Sequence, residues 1–257
     1  DYVNNQYELA MSVNDPPAFY QELMLRITSG NSRLVLDEDI RWYRRDILLK
    51  YKDRYNFYFT SDFGVTDATT ADDSVILVWA YSSNGDWYLV DGYVDTGTMD
   101  KFIKNLFRLA HEYRPIGVGI ERAGQQGGFI PWIKETMITK NLWFQISNSH
   151  GSTQEGIRSS KGKLTRFSVV APWFKLGKVH LPKEWEKSTL VSKLLNQIRL
   201  VTTKGIKGKD DIIDAISMIG SIEVWKPSEV VPITEAEDNI YQSEHIAIHN
   251  SLSSYIV

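Results

Sequence analysis

Two strand-length segments joined by a tight-turn sequence constrain the fold most strongly. Residues 74–80 run apolar after their opening serine, which is typical of a strand buried on both faces. The Asn-Gly-Asp sequence at 84–86 tolerates the positive φ angles of a hairpin turn, and residues 87–94 supply a return strand. An aromatic run at 57–63 precedes both segments. We therefore predict that three antiparallel strands open the domain.

Helical and strand patterns alternate after these strands. Thr98 is a helix-capping residue type, and the apolar positions after it lie on one helical face until Pro115. Residues 116–121 predict a strand, the segment through Trp132 a helix, and residues 142–146 another strand. The order β-β-β-α-β-α-β predicts an α/β fold, in which a mixed sheet with antiparallel first three strands is flanked by helices.

The remaining segments predict the domain organisation. Residues 184–201 and 210–224 have the apolar periodicity of amphipathic helices, so we expect one domain over residues 51–228. Residues 1–50 predict short helices without a core of their own and are interpreted as a lead-in. Residues 229–257 show no clear period and are interpreted as a tail.

The charges are distributed unevenly along the chain. The net charge is -3, but residues 158–209 contain thirteen Lys and Arg against two acids, a local balance of +11. The rest of the chain contains 16 bases against 30 acids, a balance of -14. A basic segment between acidic ones is typical of a phosphate-binding surface beside metal-binding carboxylates, although solvated helix faces give the same pattern.

Composition excludes several kinds of site. The chain has no cysteine, which excludes disulfides and cysteine-ligated zinc. Its five histidines are scattered and none lies at ligand spacing to another, which argues against a zinc hydrolase. No apolar run approaches the roughly 18 residues of a membrane span.

Acidic residues stand where buried strands end and where a late helix begins. Asp62 ends the first predicted strand and Glu121 ends the fourth, and burying a carboxylate is costly unless a cation or hydrogen-bond donors compensate it. Asp210 and Asp211 begin the last helix, and Asp214 lies one turn after Asp211 on the same face. Together they supply the oxygen ligands that two Mg²⁺ or Mn²⁺ ions require for phosphodiester hydrolysis.

Each acid also has an ordinary structural interpretation. The helix dipole favours acids such as Asp210 and Asp211 in a first helical turn. Asp62 would then be a turn residue after a strand, and Glu121 an exposed surface acid. Three further acids are interpreted as turn residues: Asp67, Asp72 and Asp73.

Several of these segments resemble one known family in their order and spacing. The chain resembles the C-terminal nuclease domain of the large terminase subunit of tailed bacteriophages, the motor that cuts concatemeric DNA and packages it into a procapsid. The resemblance rests on residues 60–67 (TSDFGVTD) with 73–75, 119–125 (GIERAGQ), 161–166 (KGKLTR) with 177–182 (GKVHLP), 209–215 (KDDIIDA) and the linker-like 15–22 (DPPAFYQE).

The resemblance implies an RNase H-like fold and a set of functional residues. Asp62, Glu121 and Asp211 would be catalytic and would bind two divalent ions, Mg²⁺ or Mn²⁺, with Asp210 and Asp214 as further metal ligands. The family's final motif contains both Asp210 and Asp211, and we take Asp211 as the main ligand. DNA-backbone contacts are expected from Arg158, Lys161, Lys163, Arg166, Lys204, Lys207 and Lys209.

The resemblance also implies partners and a missing motor. Double-stranded DNA, the terminase small subunit and the portal protein are the expected partners, with the host cytoplasm as location. The nearest match to a phosphate-binding loop, residues 156–165, lacks the required spacing and the Ser or Thr after its lysine. We therefore expect a fragment whose ATP-binding domain would precede residues 1–50.

The leading hypothesis is thus a metal-dependent DNA endonuclease of a viral packaging motor. A Holliday-junction resolvase or a transposase-like nuclease would use the same acids on the same fold. A non-catalytic DNA- or capsid-binding module is a further alternative, in which the acids only cap helices and keep the surface soluble.

Overall fold

The computed structural model describes residues 33–63, 73–122, 129–149, 151–158 and 161–228. The chain divides into a unit Asp1–Pro227 and a unit Ser228–Val257, and the described residues before Ser228 belong to the first. The motif at 15–22, Asp67, Asp72 and the tail at 229–257 lie outside the described residues.

The described residues form nine strands and six α-helices. The strands are β1 (Arg41–Tyr43), β2 (Asn56–Asp62), β3 (Ser74–Tyr81), β4 (Trp87–Asp95), β5 (Gly117–Ile120), β6 (Gln145–Ile146), β7 (Val179–Pro182), β8 (Val201–Thr202) and β9 (Gly205–Ile206). The helices are α1 (Arg45–Lys50), α2 (Met99–Tyr113), α3 (Phe129–Lys140), α4 (Lys163–Lys175), α5 (Thr189–Arg199) and α6 (Asp211–Ser217).

Seven of these strands form one mixed sheet in the order β1-β7-β4-β3-β2-β5-β6. The pairs β2–β3 and β3–β4 are antiparallel, while β2–β5, β5–β6, β4–β7 and β1–β7 are parallel. The predicted mixed sheet with three antiparallel opening strands is therefore confirmed. Strands β8 and β9 form a separate two-stranded hairpin.

Strand β3 shows why the sheet needs helices on both faces. Val75, Leu77 and Trp79 pack into the core beneath α4, α5 and α6, whereas the alternate residues of β3 pack into the core beneath α2 and α3. All these side chains have no solvent exposure, as the uninterrupted apolar run predicted. The buried indole of Trp79 donates a hydrogen bond of 3.0 Å to Thr60 on β2, which satisfies its only polar atom.

The predicted hairpin after β3 is confirmed. Gly85 has a φ of +79°, a value that L side chains adopt at a cost, and the turn closes with hydrogen bonds between Ser82 and Asp86.

Several element boundaries differ from those predicted. The helix predicted over 184–201 begins later, at Thr189, because the Ser188 hydroxyl accepts a hydrogen bond from the Val191 N–H and caps the helix there. Thr98 does occupy the N-cap position of α2, but its side chain makes no capping hydrogen bond.

Two other elements are shorter than predicted. Of the strand expected at 142–146, only Gln145–Ile146 pairs with β5. The helix expected over 210–224 ends at Ser217, after which Met218–Gly220 form a 3₁₀ turn.

The segment before residue 51 contains a strand that the sequence did not predict. Strand β1 pairs in parallel with β7 at the sheet edge, and Leu34, Val35 and Leu48 are buried in the core. Arg45 of α1 donates a hydrogen bond of 3.0 Å to the Tyr113 hydroxyl. Residues 33–50 therefore pack onto the sheet. The division into lead-in, domain and tail is untested and stays a prediction.

None of the helices within the described ranges is both long enough and apolar enough to cross a membrane.

Candidate functional site

The register of two parallel strands sets two carboxylates side by side. Ser61 of β2 pairs with Ile120 of β5, so the next residues, Asp62 and Glu121, lie together at the carboxyl ends of adjacent strands. Both side chains are buried, with residue exposures of 9% and 8%. The interpretation of Glu121 as an exposed acid is therefore wrong.

Helix α6 adds two more buried carboxylates. It packs against β2 and β3, and Asp211 and Asp214 are 6% and 3% exposed. Asp210 is the N-cap residue of α6, but its side chain makes no capping hydrogen bond. The structure thus places Asp211, rather than Asp210, fully inside the cluster, and capping does not account for Asp210.

Two cationic side chains of α4 reach into this carboxylate cluster. The Arg166 guanidinium lies 3.3 Å from Glu121 Oε1 and 2.5 Å from Asp214 Oδ1. The Lys163 ammonium lies 2.8 Å from Asp210 Oδ1 and 3.0 Å from Asp214 Oδ2. The Arg166 pairs have low exposure and are therefore weakly screened by solvent, whereas the Lys163 side chain is half exposed. Both residues connect α4 to α6 through Asp214.

The crowding of negative charge shows in the acidity of Asp62. Burial first, and then the nearby carboxylates of Glu121, Asp214 and Asp211, together raise the pKa of Asp62 to about 8. A hydrogen bond shared with Glu121 also favours the protonated form. A divalent cation would relieve the same repulsion that protonation relieves here.

The ligand atoms of the site suit a hard cation, but Arg166 already bonds to some of them. The buried acids offer carboxylate oxygens, the ligands that Mg²⁺ and Mn²⁺ prefer. Among the described residues, no group of three or more Asp, Glu, His or Cys side chains is arranged to hold a metal ion as it stands. Arg166 bonds to two of the carboxylates, so an incoming ion and this guanidinium would compete for the same oxygens.

The predicted DNA-binding residues fall into two groups. Lys163, Arg166 and Lys209 contact acids of the site; the Lys209 ammonium lies 3.9 Å from Asp73 Oδ1. The others are exposed on the surface: Arg158, Lys161, Lys204 and Lys207. Lys204 and Lys207 flank the strand β9, which packs against α4, so this surface adjoins the carboxylate cluster.

One residue interpreted as a turn acid is instead part of the site. Asp73 precedes β3, is 2% exposed, and its backbone N–H donates a hydrogen bond of 3.2 Å to Asp211 Oδ2. Its own carboxylate lies 2.6 Å from the Lys193 ammonium. No local sequence pattern indicates this contact, because 120 residues separate the partners.

One family model matches more than half of the chain. The model of a family described as terminase RNase H-like domain matches residues 60–221. No curated protein matches the chain.

Several solved structures resemble the chain at low sequence identity. The human cytomegalovirus terminase nuclease domain, soaked with Mn and bound to an inhibitor, is 12% identical with a TM-score of 0.50, over 72% of this chain and 92% of that chain. The large terminase nuclease of thermophilic phage G20c with bound zinc is 16% identical with a TM-score of 0.40, over 69% and 82%. The fowlpox virus Holliday junction resolvase is 13% identical with a TM-score of 0.36, over 63% and 92%.

The raised pKa of Asp62 predicts how stability depends on pH in the metal-free protein. An unfolded Asp titrates near pH 3.9, so between about pH 4 and pH 8 the folded state holds a proton that the unfolded state does not. The contribution of Asp62 to the free energy of unfolding therefore falls as pH rises through this window, by up to roughly 1.4 kcal/mol per pH unit.

Urea unfolding in chelator at several pH values between about 5 and 8 measures this slope. Asp62→Asn removes the titration, so the variant should lose less stability with rising pH than the unchanged protein. Asp53→Asn changes an exposed acid and should keep the original slope. Equal slopes for the unchanged protein and Asp62→Asn would show that the pKa of Asp62 is not raised.

Proposed function

The chain belongs to the terminase RNase H-like domain family, and from this premise we propose that it is a metal-dependent endonuclease that cuts concatemeric double-stranded DNA during viral genome packaging. The observation that carries the proposal is the convergence of buried carboxylates from β2, the end of β5 and α6. Burying several acids together lowers the stability of the fold, so stability does not explain the cluster. A functional role explains it better.

Asp62, Glu121 and Asp211 are the proposed main ligands of two divalent ions, Mg²⁺ or Mn²⁺. Asp210 and Asp214 would complete the set from the same helix. Bound there, such ions supply charge neutralisation, an activated water and stabilisation of the leaving 3′ oxygen in phosphodiester hydrolysis. The strands and α6 contribute rigid positions for the ligands, since each carboxylate projects from a packed element.

Arg166 and Lys163 have a double role in this proposal. In the structure described here they neutralise Glu121, Asp210 and Asp214. With divalent ions bound to these acids, Arg166 and Lys163 would be free to contact DNA phosphates at the edge of the site. The exposed residues Lys204 and Lys207 would extend the phosphate-binding surface along the β8–β9 hairpin, and Arg158, Lys161 and Lys209 would add to it.

The partners follow from the same premise. We propose double-stranded DNA as the substrate, the terminase small subunit and the portal protein as protein partners, and the host cytoplasm as the place of action. ATP would be bound by a separate motor domain and not by the nuclease domain.

Loss of a proposed ligand should abolish cleavage. Asp62→Asn and Glu121→Gln each remove one carboxylate ligand from the site. Losing an outer partner of a metal ligand costs roughly 10–100-fold, so losing a ligand itself should reduce Mn²⁺-dependent nicking of plasmid DNA by more than that. The exposed-acid variant Asp53→Asn should cleave normally. Full activity in Asp62→Asn would rule out this site.

Substrate and metal comparisons separate the alternatives. Linear duplexes and four-way junctions offered at equal concentration should be cut at similar rates, whereas a strong preference for junctions would favour a resolvase. If neither Mg²⁺ nor Mn²⁺ raises the melting temperature or gives binding heat, a non-catalytic DNA- or capsid-binding module is the better explanation.

Removing the Arg166 guanidinium should weaken the metal-free protein and strengthen metal binding. Arg166→Met leaves Glu121 and Asp214 without this counter-charge, which costs about 3 kcal/mol of stability, but it also removes the competitor for their oxygens. We expect a lower melting temperature in chelator and a larger rise on adding Mn²⁺ than in the unchanged protein.

Arg108→Met provides the matched control, because Arg108 forms an exposed ion pair with Glu112 on α2. Arg108→Met should change neither the melting temperature in chelator nor its rise on adding Mn²⁺ appreciably. A Mn²⁺-induced rise in Arg166→Met no larger than normal would contradict the competition.

The salt dependence of DNA binding tests the proposed surface. Replacing Lys204 and Lys207 together by Gln removes two phosphate contacts, so the slope of log affinity against log salt should become shallower by about 1.8. Lys50→Gln with Lys52→Gln removes two exposed charges from the other end of the described chain and should leave the slope unchanged. If both double variants change the slope equally, the β8–β9 hairpin is not a specific DNA-binding surface.

A further inference from the structure

Helix α5 presents two polar side chains one turn apart to the part of the site that carries Asp211. Lys193 and Gln197 are four positions apart, which places them on one face of the helix, and α5 packs against α6. Neither residue belongs to the carboxylate cluster.

Gln197 satisfies the first backbone donors of α6 from outside that helix. Its side chain is buried, with 6% exposure, and its Oε1 accepts hydrogen bonds from the N–H groups of Ile212 at 2.9 Å and Ile213 at 3.3 Å. The first N–H groups of a helix have no partner within it, and the Asp210 side chain does not cap them. The amide of Gln197 therefore fixes the turn from which Asp211 projects.

Lys193 reaches Asp211 through Asp73. The Lys193 ammonium lies 2.6 Å from the Asp73 carboxylate, which is almost fully buried, and the Asp73 N–H donates to Asp211 Oδ2 at 3.2 Å. A buried carboxylate with a close cation has little freedom, so the backbone of Asp73 is held where it can orient Asp211.

We propose that Gln197, Lys193 and Asp73 form a positioning unit for Asp211: Gln197 holds its backbone turn, and Lys193 with Asp73 holds its carboxylate. The inference rests on the proposed function of Asp211 as a metal ligand. None of the three contacts the ions or DNA in this role. Outer partners of metal ligands fix the orientation of those ligands, and losing one weakens metal binding without removing a donor.

The test uses two variants that leave every proposed ligand in place. Gln197→Ala removes the amide acceptor, and Lys193→Met removes the ammonium while keeping most of the side chain. Each should weaken Mn²⁺ binding, measured by calorimetry well below the melting temperature, by roughly 10–100-fold. Lys193→Arg retains the cation and should bind Mn²⁺ much more tightly than Lys193→Met.

Asn196→Ala is the matched control, because Asn196 is the exposed amide adjacent to Gln197 on the same helix. It should bind Mn²⁺ like the unchanged protein. Amide hydrogen exchange in chelator provides a second readout, since Gln197→Ala should speed exchange over α6 and Asn196→Ala should not.

The outcomes separate this inference from the proposed function. Unchanged exchange over α6 in Gln197→Ala would overturn the positioning unit whatever the protein binds. Faster exchange with unchanged Mn²⁺ affinity in both Gln197→Ala and Lys193→Met would also overturn it, because the contacts would then be only structural. If Asp62→Asn binds Mn²⁺ normally, the proposed metal site itself is wrong.

Discussion

Repulsion between carboxylates at the carboxyl ends of β2 and β5 shapes the rest of the site. The parallel register leaves Asp62 and Glu121 side by side in a poorly hydrated place, and α6 adds Asp211 and Asp214 to it. Such a cluster persists in a folded protein only if protons or cations balance it. Here both occur, since the pKa of Asp62 is raised and α4 supplies Arg166 and Lys163.

This balance explains why the most basic segment of the chain lies beside its buried acids. Helix α4 carries its first cations into the cluster and packs its apolar residues against the sheet, while the β8–β9 hairpin beside it exposes Lys204. One set of positive charges therefore serves two needs in our proposal. It compensates the acids in the absence of metal and provides a surface for phosphates next to them.

The positions of strands were predictable because they depend on local patterns. Alternation, apolar runs and the turn at Gly85 are properties of neighbouring residues, and β2, β3 and β4 lie where these patterns indicated.

Helix ends were less predictable. Helix α5 starts where Ser188 caps it, and the apolar periodicity of α6 continues past Ser217 although the helix does not. Strand β1 went unpredicted because three residues carry too little pattern and depend on pairing with β7.

The sequence by itself determined strands β2 to β5, the helices α2, α3, α5 and α6 and the candidate acids Asp62, Glu121 and Asp211, since motif order and strand ends are visible along the chain. Only the tertiary structure decided which groups meet them. In the folded protein Asp211 is buried, while Asp210 lies at the edge of the cluster. Arg166, which was expected on the DNA-binding surface, contacts the buried acids, and Asp73 forms an ion pair with Lys193. Asp73 and Asp211 are 138 residues apart, and no local periodicity encodes a hydrogen bond that exists only once the sheet and α6 have packed together.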